Sequence, residues 1–355
     1  MRILALTRYE RLGSSSRVRF YQYYPYLKAH GVEVVNAPFF SDEYVKSLYT
    51  GQTVSQLDIL RAYLRRLSAL AKSSSYDLLW VEKELFPWIP AWFEGLIHFF
   101  KKPYMVDYDD AVYHRYDMHS SSVVRALLGR KIDRVMRNAA LVVVGNQYLA
   151  DRATRAGSKR VEILPSVVDV SLYKVKKDFT KLPLQTGWIG SPVTARYLDE
   201  VRDALEILSR EMEIHLTLIG CGDIPPFPNI PTVIHPWDEG LELAIGQMFD
   251  IGIMPLVDGP FERGKCGYKL VQYMAAGLPV IASPVGINSQ MVTPGRNGYL
   301  AGTTREWLDA FRKLGSDVQL RRKMGRSGRS TAEQMYNLHG TAPKLLDLLL
   351  GARKL

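Results

Sequence analysis

Short apolar runs alternate with longer amphipathic stretches over the first half of the chain. The apolar runs that predict strands occupy residues 3–7, 32–35, 76–82, 104–107, 141–144 and 161–166. Apolar residues recur at helical spacing over residues 17–30, 54–72 and 121–138. This alternation is typical of a parallel sheet with helices on both faces. Ligands of such sheets bind at the carboxyl ends of the strands, which lie here in the turns after residues 7, 35, 82 and 107.

The same alternation restarts after a polar, lysine-rich segment between Tyr173 and Leu184, which is the best candidate for a linker. Strands are predicted at 184–189, 214–219, 233–234, 251–256, 280–282 and 297–300, and helices at 195–212, 238–248, 303–314, 317–335 and 338–350. We therefore expect an α/β protein with two doubly wound, Rossmann-like domains that face a central cleft. The first spans residues 1–178, and the second spans 184–355 with a helical tail that can pack back on the first.

The stretch from Gly264 to Ser283, called the cradle segment below, is the most distinctive part of the sequence. A glycine-flanked turn with Lys265 and Lys269 opens a short amphipathic helix, and a buried strand follows. A helix N-terminus carries unpaired N–H groups and about half a positive charge. The segment therefore predicts a binding site for an anion such as a phosphate. Cys266 within it is interpreted as a packing residue.

The composition of the chain limits the classes of ligand that this segment is expected to bind. The net charge of +10 favours nucleic acid, an anionic membrane or phosphorylated small molecules. We find no nucleic-acid recognition motif, so the last two classes are retained. The two cysteines form no CxxC pair and the seven histidines show no HExxH spacing, which argues against a metal held by protein ligands alone. Reduced cysteines and the lack of an apolar run of ~18 residues favour a cytoplasmic protein.

Two predicted helices are basic and amphipathic. In 54–72, leucines at helical spacing share the helix with Arg61, Arg65 and Arg66, and 121–138 repeats this pattern. Such helices can lie on an anionic bilayer, which would attach the protein peripherally to the inner face of the cell membrane. Alternatively, the leucines face the core and the arginines face water, which is the commoner arrangement in soluble proteins. Both interpretations stay open.

Acidic residues cluster where the strand at 104–107 ends. Asp107, Asp109 and Asp110 follow closely, and His114 lies four positions beyond the last of them. Such a cluster suits acid–base chemistry or the binding of hydroxyl groups. The alternative is a purely structural role, in which one aspartate caps the next helix. Three carboxylates exceed what one cap needs, so we favour a functional role.

Four stretches carry a resemblance to a known family. They are 164–169 (LPSVVD), 187–192 (GWIGSP), 249–256 (FDIGIMPL) and 273–283 (YMAAGLPVIAS). Together they resemble retaining GT-B-fold glycosyltransferases of the "glycosyl transferases group 1" family, similar to family 4. The resemblance implies a sugar donor of the nucleotide diphosphate class held by the second domain. It also implies a glycan or lipid-linked glycan acceptor held by the first domain, with no metal and no further cofactor.

The resemblance also implies roles for individual residues. Asp109, Asp110, His114 and Glu262 are candidates for the sugar and acceptor site. Donor-binding candidates are Gly13, Ser14, Arg17, Gly190, Ser191, Arg196, Lys265, Gly267, Tyr268, Lys269 and Gln272. Family members often carry two glutamates eight positions apart, where this chain has Gly264 and Gln272. Gln272 is expected to hold the ribose, and Glu262 to replace the first glutamate.

The expected activity is transfer of a sugar with retention of configuration to a hydroxyl group. Two alternatives remain. A GT-B-type sugar-nucleotide epimerase would need no acceptor. A catalytically silent nucleotide- or carbohydrate-binding subunit of a glycan assembly complex would explain the missing glutamate.

Overall fold

The computed structural model describes residues 1–53, 55–95, 102–180 and 182–353. The chain divides into two compact units. Unit 1 comprises Met1–Ser166, Gly264–Cys266 and the chain from Thr341 on, and unit 2 comprises Val167–Arg263 and Gly267–Gly340. Each unit is described by itself below.

Unit 1 is built on a six-stranded parallel sheet in the order β2-β1-β3-β4-β5-β6. Its strands are β1 (Arg2–Leu6), β2 (Glu33–Asn36), β3 (Leu78–Glu82), β4 (Tyr104–Tyr108), β5 (Leu141–Val144) and β6 (Val161–Ile163). The residues of β3, β4 and β5 are all buried, as expected for strands covered on both faces. The strand order reverses between β1 and β3, where doubly wound sheets bind ligands.

The helices of unit 1 before Ser166 are α1 (Ser14–Arg19), α2 (Tyr24–Ala29), α3 (Asp42–Tyr49), α4 (Gln56–Ala71), α5 (Ala91–Glu94), α6 (His114–Asp117), α7 (Ser122–Leu128), α8 (Lys131–Asn138) and α9 (Gln147–Arg155). The prediction of one helix at 17–30 is wrong. The helix begins at Ser14 and breaks at Phe20, whose ring is fully buried against Trp80 at 4.2 Å between centroids. Pro25 then lies in the first turn of α2, where it lacks only an N–H that is unpaired anyway.

The single helix predicted at 121–138 is also two helices. Gly129 follows α7, and a Cβ there would lie 2.4 Å from the carbonyl oxygen of Arg125. The second of the two, α8, buries Ile132 and Val135 as the core-facing interpretation expects, whereas Leu127 of α7 is exposed.

Helix α4 contradicts the core-facing interpretation of its leucines. It packs inward through Ala62, Arg66 and Leu70, which recur every fourth residue. Four leucines at helical spacing point instead to solvent, with exposed fractions from 42% to 63%: Leu57, Leu60, Leu64 and Leu67. Val54, at the start of the predicted helix, lies outside the described residues.

Unit 2 repeats the architecture with a six-stranded parallel sheet in the order β12-β11-β10-β7-β8-β9. Its strands are β7 (Leu184–Ile189), β8 (Ile214–Ile219), β9 (Thr232–His235), β10 (Ile251–Met254), β11 (Val280–Ala282) and β12 (Gly298–Leu300). One apolar core contains Trp188 and Trp307, and another contains Phe249 and Tyr273. The two sheets confirm the predicted fold class of two doubly wound, Rossmann-like domains.

The remaining helices are α10 (Pro192–Ala195), α11 (Asp199–Leu208), α12 (Glu239–Met248), α13 (Pro260–Arg263), α14 (Tyr268–Ala275), α15 (Asn288–Met291), α16 (Thr304–Ser316), α17 (Val318–Met335) and α18 (Leu338–Ala352). The prediction of one helix at 195–212 is wrong, because the segment is divided. Helix α10 is capped by Ser191 and Thr194 with Pro192 in its first turn, a 3-10 turn follows at Arg196–Leu198, and α11 ends at Leu208. Helix α13 lies where only a loop was predicted. No helix in the described ranges has the length and apolar character needed to cross a membrane.

Candidate functional site

The carboxyl end of β3 carries a lysine in a strained backbone conformation. Lys83 has φ of 65°, in the left-handed region that costs a residue other than glycine on the order of 1–3 kcal/mol. Its ammonium lies 2.8 Å from Asp109 Oδ1 and 3.1 Å from Ser15 Oγ. Strain at this position therefore places a buried cation between the end of β4 and the start of α1.

A second buried ion pair lies beside it. Arg19 donates two hydrogen bonds to Asp107, with Nε at 2.7 Å and Nη2 at 3.1 Å, and a third at 2.8 Å to the carbonyl of Leu164. The side chains of Arg19 and Asp107 are 2% and 1% exposed. The guanidinium of Arg19 is therefore buried and committed to Asp107.

The pKa values of Asp107 and Asp109 are shifted in opposite directions. Burial raises the pKa of Asp107, although Arg19 opposes this shift. Burial also acts to raise the pKa of Asp109, but the ammonium of Lys83 outweighs it and holds that pKa below its usual range. Asp109 is therefore ionised near neutral pH, which suits it to accept hydrogen bonds from hydroxyl groups.

Glu82, at the end of β3, fixes the turn after β1. Its Oε2 accepts hydrogen bonds from the backbone N–H of Arg8 at 2.8 Å and from Ser16 Oγ at 2.6 Å. Burial raises its pKa. The predicted donor residues Gly13 and Ser14 lie at the start of α1, with Gly13 as its N-cap.

The other predicted residues of unit 1 have separate partners. Arg17 is buried and donates to the carbonyl of Arg11 at 3.3 Å. Asp110 lies 3.7 Å from the ammonium of Lys265. His114 contacts Asp117 through Nδ1 at 2.8 Å and Tyr148 through Nε2 at 3.1 Å. The structure thus joins Asp109 to Lys83, Asp110 to Lys265, and His114 to a carboxylate that sequence analysis missed.

The turn that opens the cradle segment is held by Asn146. Its Nδ2 donates to the carbonyls of Gly264 at 3.0 Å and Lys265 at 2.9 Å. A Cβ at Gly264 would lie 2.5 Å from that of Ala111. This close approach leaves no room for a side chain at position 264.

Helix α14 begins immediately after this turn. Gly267, its N-cap, has φ of 67°, and a Cβ there would lie 2.4 Å from the sulfur of Met291. Glycine is therefore needed for both the backbone conformation and the packing. The first turn of α14 contributes Tyr268 and Lys269, and Gln272 is buried one turn later, where its amide contacts the hydroxyl of Tyr173.

Glu242 organises the surroundings of this helix start. The carboxylate is buried and accepts hydrogen bonds from Tyr268 at 2.8 Å, Tyr173 at 3.2 Å and Trp237 at 3.0 Å. Sequence analysis missed this residue. The available signal was a carboxylate in the middle of the apolar run LELAI, where burial demands partners.

The turn after β7 approaches α14 within unit 2. A Cβ at Gly190 would lie 2.4 Å from the Trp188 ring and 2.9 Å from Cε of Lys269. The ammonium of Lys269 lies 5.3 Å from the centre of the Trp188 ring, within reach of a cation–π contact. Gly190, Ser191 and Lys269 are therefore brought together as predicted donor residues.

Arg196 and Glu262 contact each other. Glu262 is buried and accepts hydrogen bonds from the hydroxyl of Tyr197 and from Arg196 Nη2 at 3.4 Å. Arg196 itself is mostly exposed. The predicted sugar ligand thus already holds one of the predicted phosphate ligands, a pairing that sequence spacing did not indicate.

Within the described ranges, no group of three or more His, Cys, Asp or Glu side chains is arranged to hold a metal ion. Most of the charged side chains described above form ion pairs within their own unit.

Comparisons with known proteins find a family match for part of unit 2. Residues 186–317 match the family model described as glycosyl transferases group 1. An N-acetyl-alpha-D-glucosaminyl L-malate synthase of Bacillus anthracis is 25% identical over 195 residues, which is 50% of each chain. The matches span half or less of the length of the curated relatives.

Solved structures extend the similarity over the whole chain at the level of fold. The sucrose-phosphate synthase of Thermosynechococcus elongatus has a TM-score of 0.70 at 16% identity and covers 98% of both chains. Anabaena HepE in complex with UDP-glucose has a TM-score of 0.71 at 16% identity and covers 99% of both chains. The match of residues 186–317 confirms, for that segment, the resemblance to glycosyl transferases group 1.

Proposed function

We propose that this chain, whose residues 186–317 match the family model of glycosyl transferases group 1, is a glycosyltransferase that uses a nucleotide diphosphate sugar. The observation that carries the proposal is the edge of unit 2 where Gly190, Ser191 and Lys269 lie together beside the start of α14. This edge offers the N-terminal turn of α14 and the ammonium of Lys269 to a diphosphate. The structure of HepE with UDP-glucose supports UDP-sugars as the first donors to test.

The diphosphate would be bound without a metal ion. The N–H groups at the start of α14 and the positive end of its dipole favour a negative charge there. Lys269 adds a full positive charge, and its stem is placed by the Trp188 ring. As the bond between the sugar and the diphosphate breaks, these groups stabilise the charge that develops on the leaving phosphate.

The reaction is proposed to retain the configuration at the anomeric carbon. The anomeric C–O bond to the diphosphate breaks, and a bond forms to an acceptor hydroxyl on the same face of the sugar. The hydroxyl proton passes to an oxygen of the leaving phosphate. Asp109 and Asp110 then serve as hydrogen-bond acceptors in the acceptor site, with His114 beside them. The low pKa of Asp109 fits an acceptor of hydrogen bonds better than a strong base.

A donor panel tests the proposal. The full chain is incubated with radiolabelled nucleotide sugars, with and without glycan and lipid-linked glycan acceptors, and with EDTA. Transfer that needs an acceptor and survives EDTA is expected, with an anomeric configuration in the product that NMR shows to match the donor. An epimerised donor without acceptor would favour the epimerase, and nucleotide binding without turnover would favour the silent subunit.

We also propose that unit 1 attaches to an anionic membrane, which fits a lipid-linked acceptor. The exposed leucine stripe of α4 carries the proposal, because four leucines face solvent on a helix that also presents Arg61 and Arg65. Exposed Trp88 and Trp92 in the following segment suit the interfacial region of a bilayer.

Vesicle flotation tests the attachment. Wild type is expected to float with anionic vesicles at low salt and to be released by high salt. The Leu60→Gln/Leu64→Gln variant should stay in solution, whereas Leu172→Gln, which alters an equally exposed leucine in unit 2, should float like wild type. Flotation of the double variant equal to wild type would contradict this proposal.

A further inference from the structure

A second basic site lies in unit 2, away from the strand ends discussed above. A cavity of about 380 Å³ is formed by the segment 175–179, Gly277 and one face of α17. Gly277 precedes β11, and Lys176 beside the cavity pairs with Asp250, which precedes β10. The cavity, called the α17 pocket below, therefore lies at the amino ends of these strands. The candidate donor site lies at their carboxyl ends.

The walls of the α17 pocket are fixed by close contacts. Lys176 donates its backbone N–H to the carbonyl of Ala276 at 2.9 Å, and its ammonium lies 2.8 Å from Asp250. A Cβ at Gly325 would lie 2.1 Å from the carbonyl oxygen of Gly277, so α17 packs directly on the turn. Arg329 bonds the carbonyls of Val170 and Ala275. These contacts preorganise the pocket, which reduces the cost of ordering it around a ligand.

Positive charge dominates the lining. Five cations and a single carboxylate, Glu333, line the pocket; the cations are Lys176, Lys177, Arg322, Arg326 and Arg329. Arg329 pairs with Glu333 at 2.6 Å and Lys176 pairs with Asp250. Over residues 1–53, 55–95, 102–180 and 182–353, no ion pair joins the other three cations to a carboxylate.

The spacing of these arginines is unfavourable without a counter-charge. Arg322 and Arg326 are four residues apart on α17, and Arg326 and Arg329 are three apart. Like charges at these spacings are neighbours on the helix surface and destabilise it. An anion in the pocket would remove this repulsion and would be bound by guanidinium groups suited to paired hydrogen bonds with phosphate oxygens.

We propose that the α17 pocket binds a phosphate- or diphosphate-bearing ligand at a site separate from the sugar donor. The cavity volume lies within the range of small-molecule sites, roughly 300–1,000 Å³. Lys177 and Arg326 are its exposed cationic ligands, and half-buried Arg322 lies deeper. The ligand can be a soluble phosphate ester or the headgroup of an anionic lipid, because both present the same phosphate oxygens.

Calorimetric titration of the full chain with inorganic pyrophosphate tests the proposal. The Lys177→Gln/Arg326→Gln variant should lose about tenfold or more in affinity, because charge-assisted hydrogen bonds are removed. Lys323→Gln removes a charge from an exposed residue of α17 outside the pocket and should stay within about twofold of wild type. Lys269→Gln, which alters the candidate donor site, should also retain pyrophosphate binding.

Two outcomes overturn the proposal. One is that wild type and the pocket variant bind pyrophosphate equally or not at all. The other is that Lys269→Gln alone abolishes binding. Because the Lys269→Gln arm reports on the donor site, failure of the proposed activity is distinguishable from failure of the α17 pocket.

Sedimentation with anionic phospholipid vesicles separates the two sources of phosphate. Vesicle binding that the pocket variant loses while Lys323→Gln retains it assigns a lipid headgroup. Pyrophosphate binding with no pocket-dependent vesicle binding assigns a soluble phosphate ester.

Discussion

The strand ends of unit 1 carry charged side chains that pair with one another, whereas the turns of unit 2 near the candidate donor site contain glycines and a serine. In unit 1, Arg19 holds Asp107 and Lys83 holds Asp109. In unit 2, the corresponding turns contain Gly190 and Ser191, and Gly267 begins α14. The two sheets therefore share an architecture but differ in the chemistry at the carboxyl ends of their strands.

This difference separates two ways of using the same fold. The charges in unit 1 cancel locally, so that edge suits neutral ligands whose hydroxyl groups donate to carboxylates. Gly190 and Gly267 let Trp188 and Met291 pack directly against the backbone of unit 2. Lys269, in the first turn of α14, supplies the charge that an anion needs. The comparison predicts that charge removal costs stability in unit 1 and ligand affinity in unit 2.

The largest effect is expected from Arg19→Met. The substitution leaves Asp107 buried without its cation, and breaking a buried pair in this way costs about 3–5 kcal/mol of unfolding free energy. Urea denaturation measures the loss. Arg2→Met breaks the exposed pair with Glu33 and is expected to lower the stability far less, because solvent screens that pair. Equal losses in the two variants would contradict the assignment.

Lys269→Gln should weaken donor binding with little loss of stability. Loss of a charge-assisted contact costs about 1.5–3 kcal/mol, which corresponds to roughly 10–150-fold in the dissociation constant for UDP or a UDP-sugar. Titration calorimetry measures this change. Lys313→Gln is the matched control, because Lys313 also lies 5.3 Å from an aromatic ring centre, that of Tyr299. Equal binding by the two variants would remove Lys269 from the donor site.

Gly190→Ala should perturb the unit 2 edge by overcrowding. The added methyl group would overlap Trp188, and overpacking of this kind costs about 1–3 kcal/mol. Thermal unfolding and UDP titration should both show the change. At Gly340, in α18, an added Cβ meets nothing within 4 Å, so Gly340→Ala should be neutral or stabilising. Unchanged stability and UDP affinity in Gly190→Ala would contradict this expectation and would show that the backbone of the turn shifts to accommodate the methyl group.

The smallest expected effect is the change with pH of the stability difference between wild type and Asp109→Asn. The pKa of Asp109 is held low in the folded chain, so its contribution to stability is present above the ordinary value of about 3.9 and is lost as pH falls through the folded value. The pKa of Lys83 is raised, so the pair is kept until strongly alkaline pH. The stability gap between wild type and Asp109→Asn should therefore be flat near neutrality and narrow below about pH 4.

Urea denaturation at several pH values measures that gap. Glu33→Gln, which alters an exposed pair, should give a small gap across the same range. A gap for Asp109→Asn that widens with acid would show that Lys83 does not stabilise the carboxylate.

Much of the architecture was predictable from the sequence because buried parallel strands are short apolar runs with polar boundaries. The limits of β5, β7 and β8 were predicted to the residue for this reason. Helix breaks were not predictable where tertiary packing decides them, as at Phe20 against Trp80. The orientation of the α4 leucines stayed open in the sequence, because helical spacing defines a stripe without saying which stripe packs inward.

The candidate residues were predictable by type but not by pairing. Arg19 and Asp107 are 88 positions apart, and no local pattern joins them. Gly264 has a structural reason that only the position of Ala111 reveals. In the sequence, Lys83 is only a charged residue after a predicted strand, and its strained backbone conformation could not be predicted. The roles of the candidate residues in donor and acceptor binding stay predictions.

The most direct test of the difference between the two edges is hydrogen–deuterium exchange with and without UDP. We predict slower exchange across the start of α14 at residues 267–269, with the amides of residues 83–95 and 102–110 unchanged. Protection confined to the unit 1 strand ends, or no protection in either unit, would contradict the assignment of the anion-binding edge to unit 2.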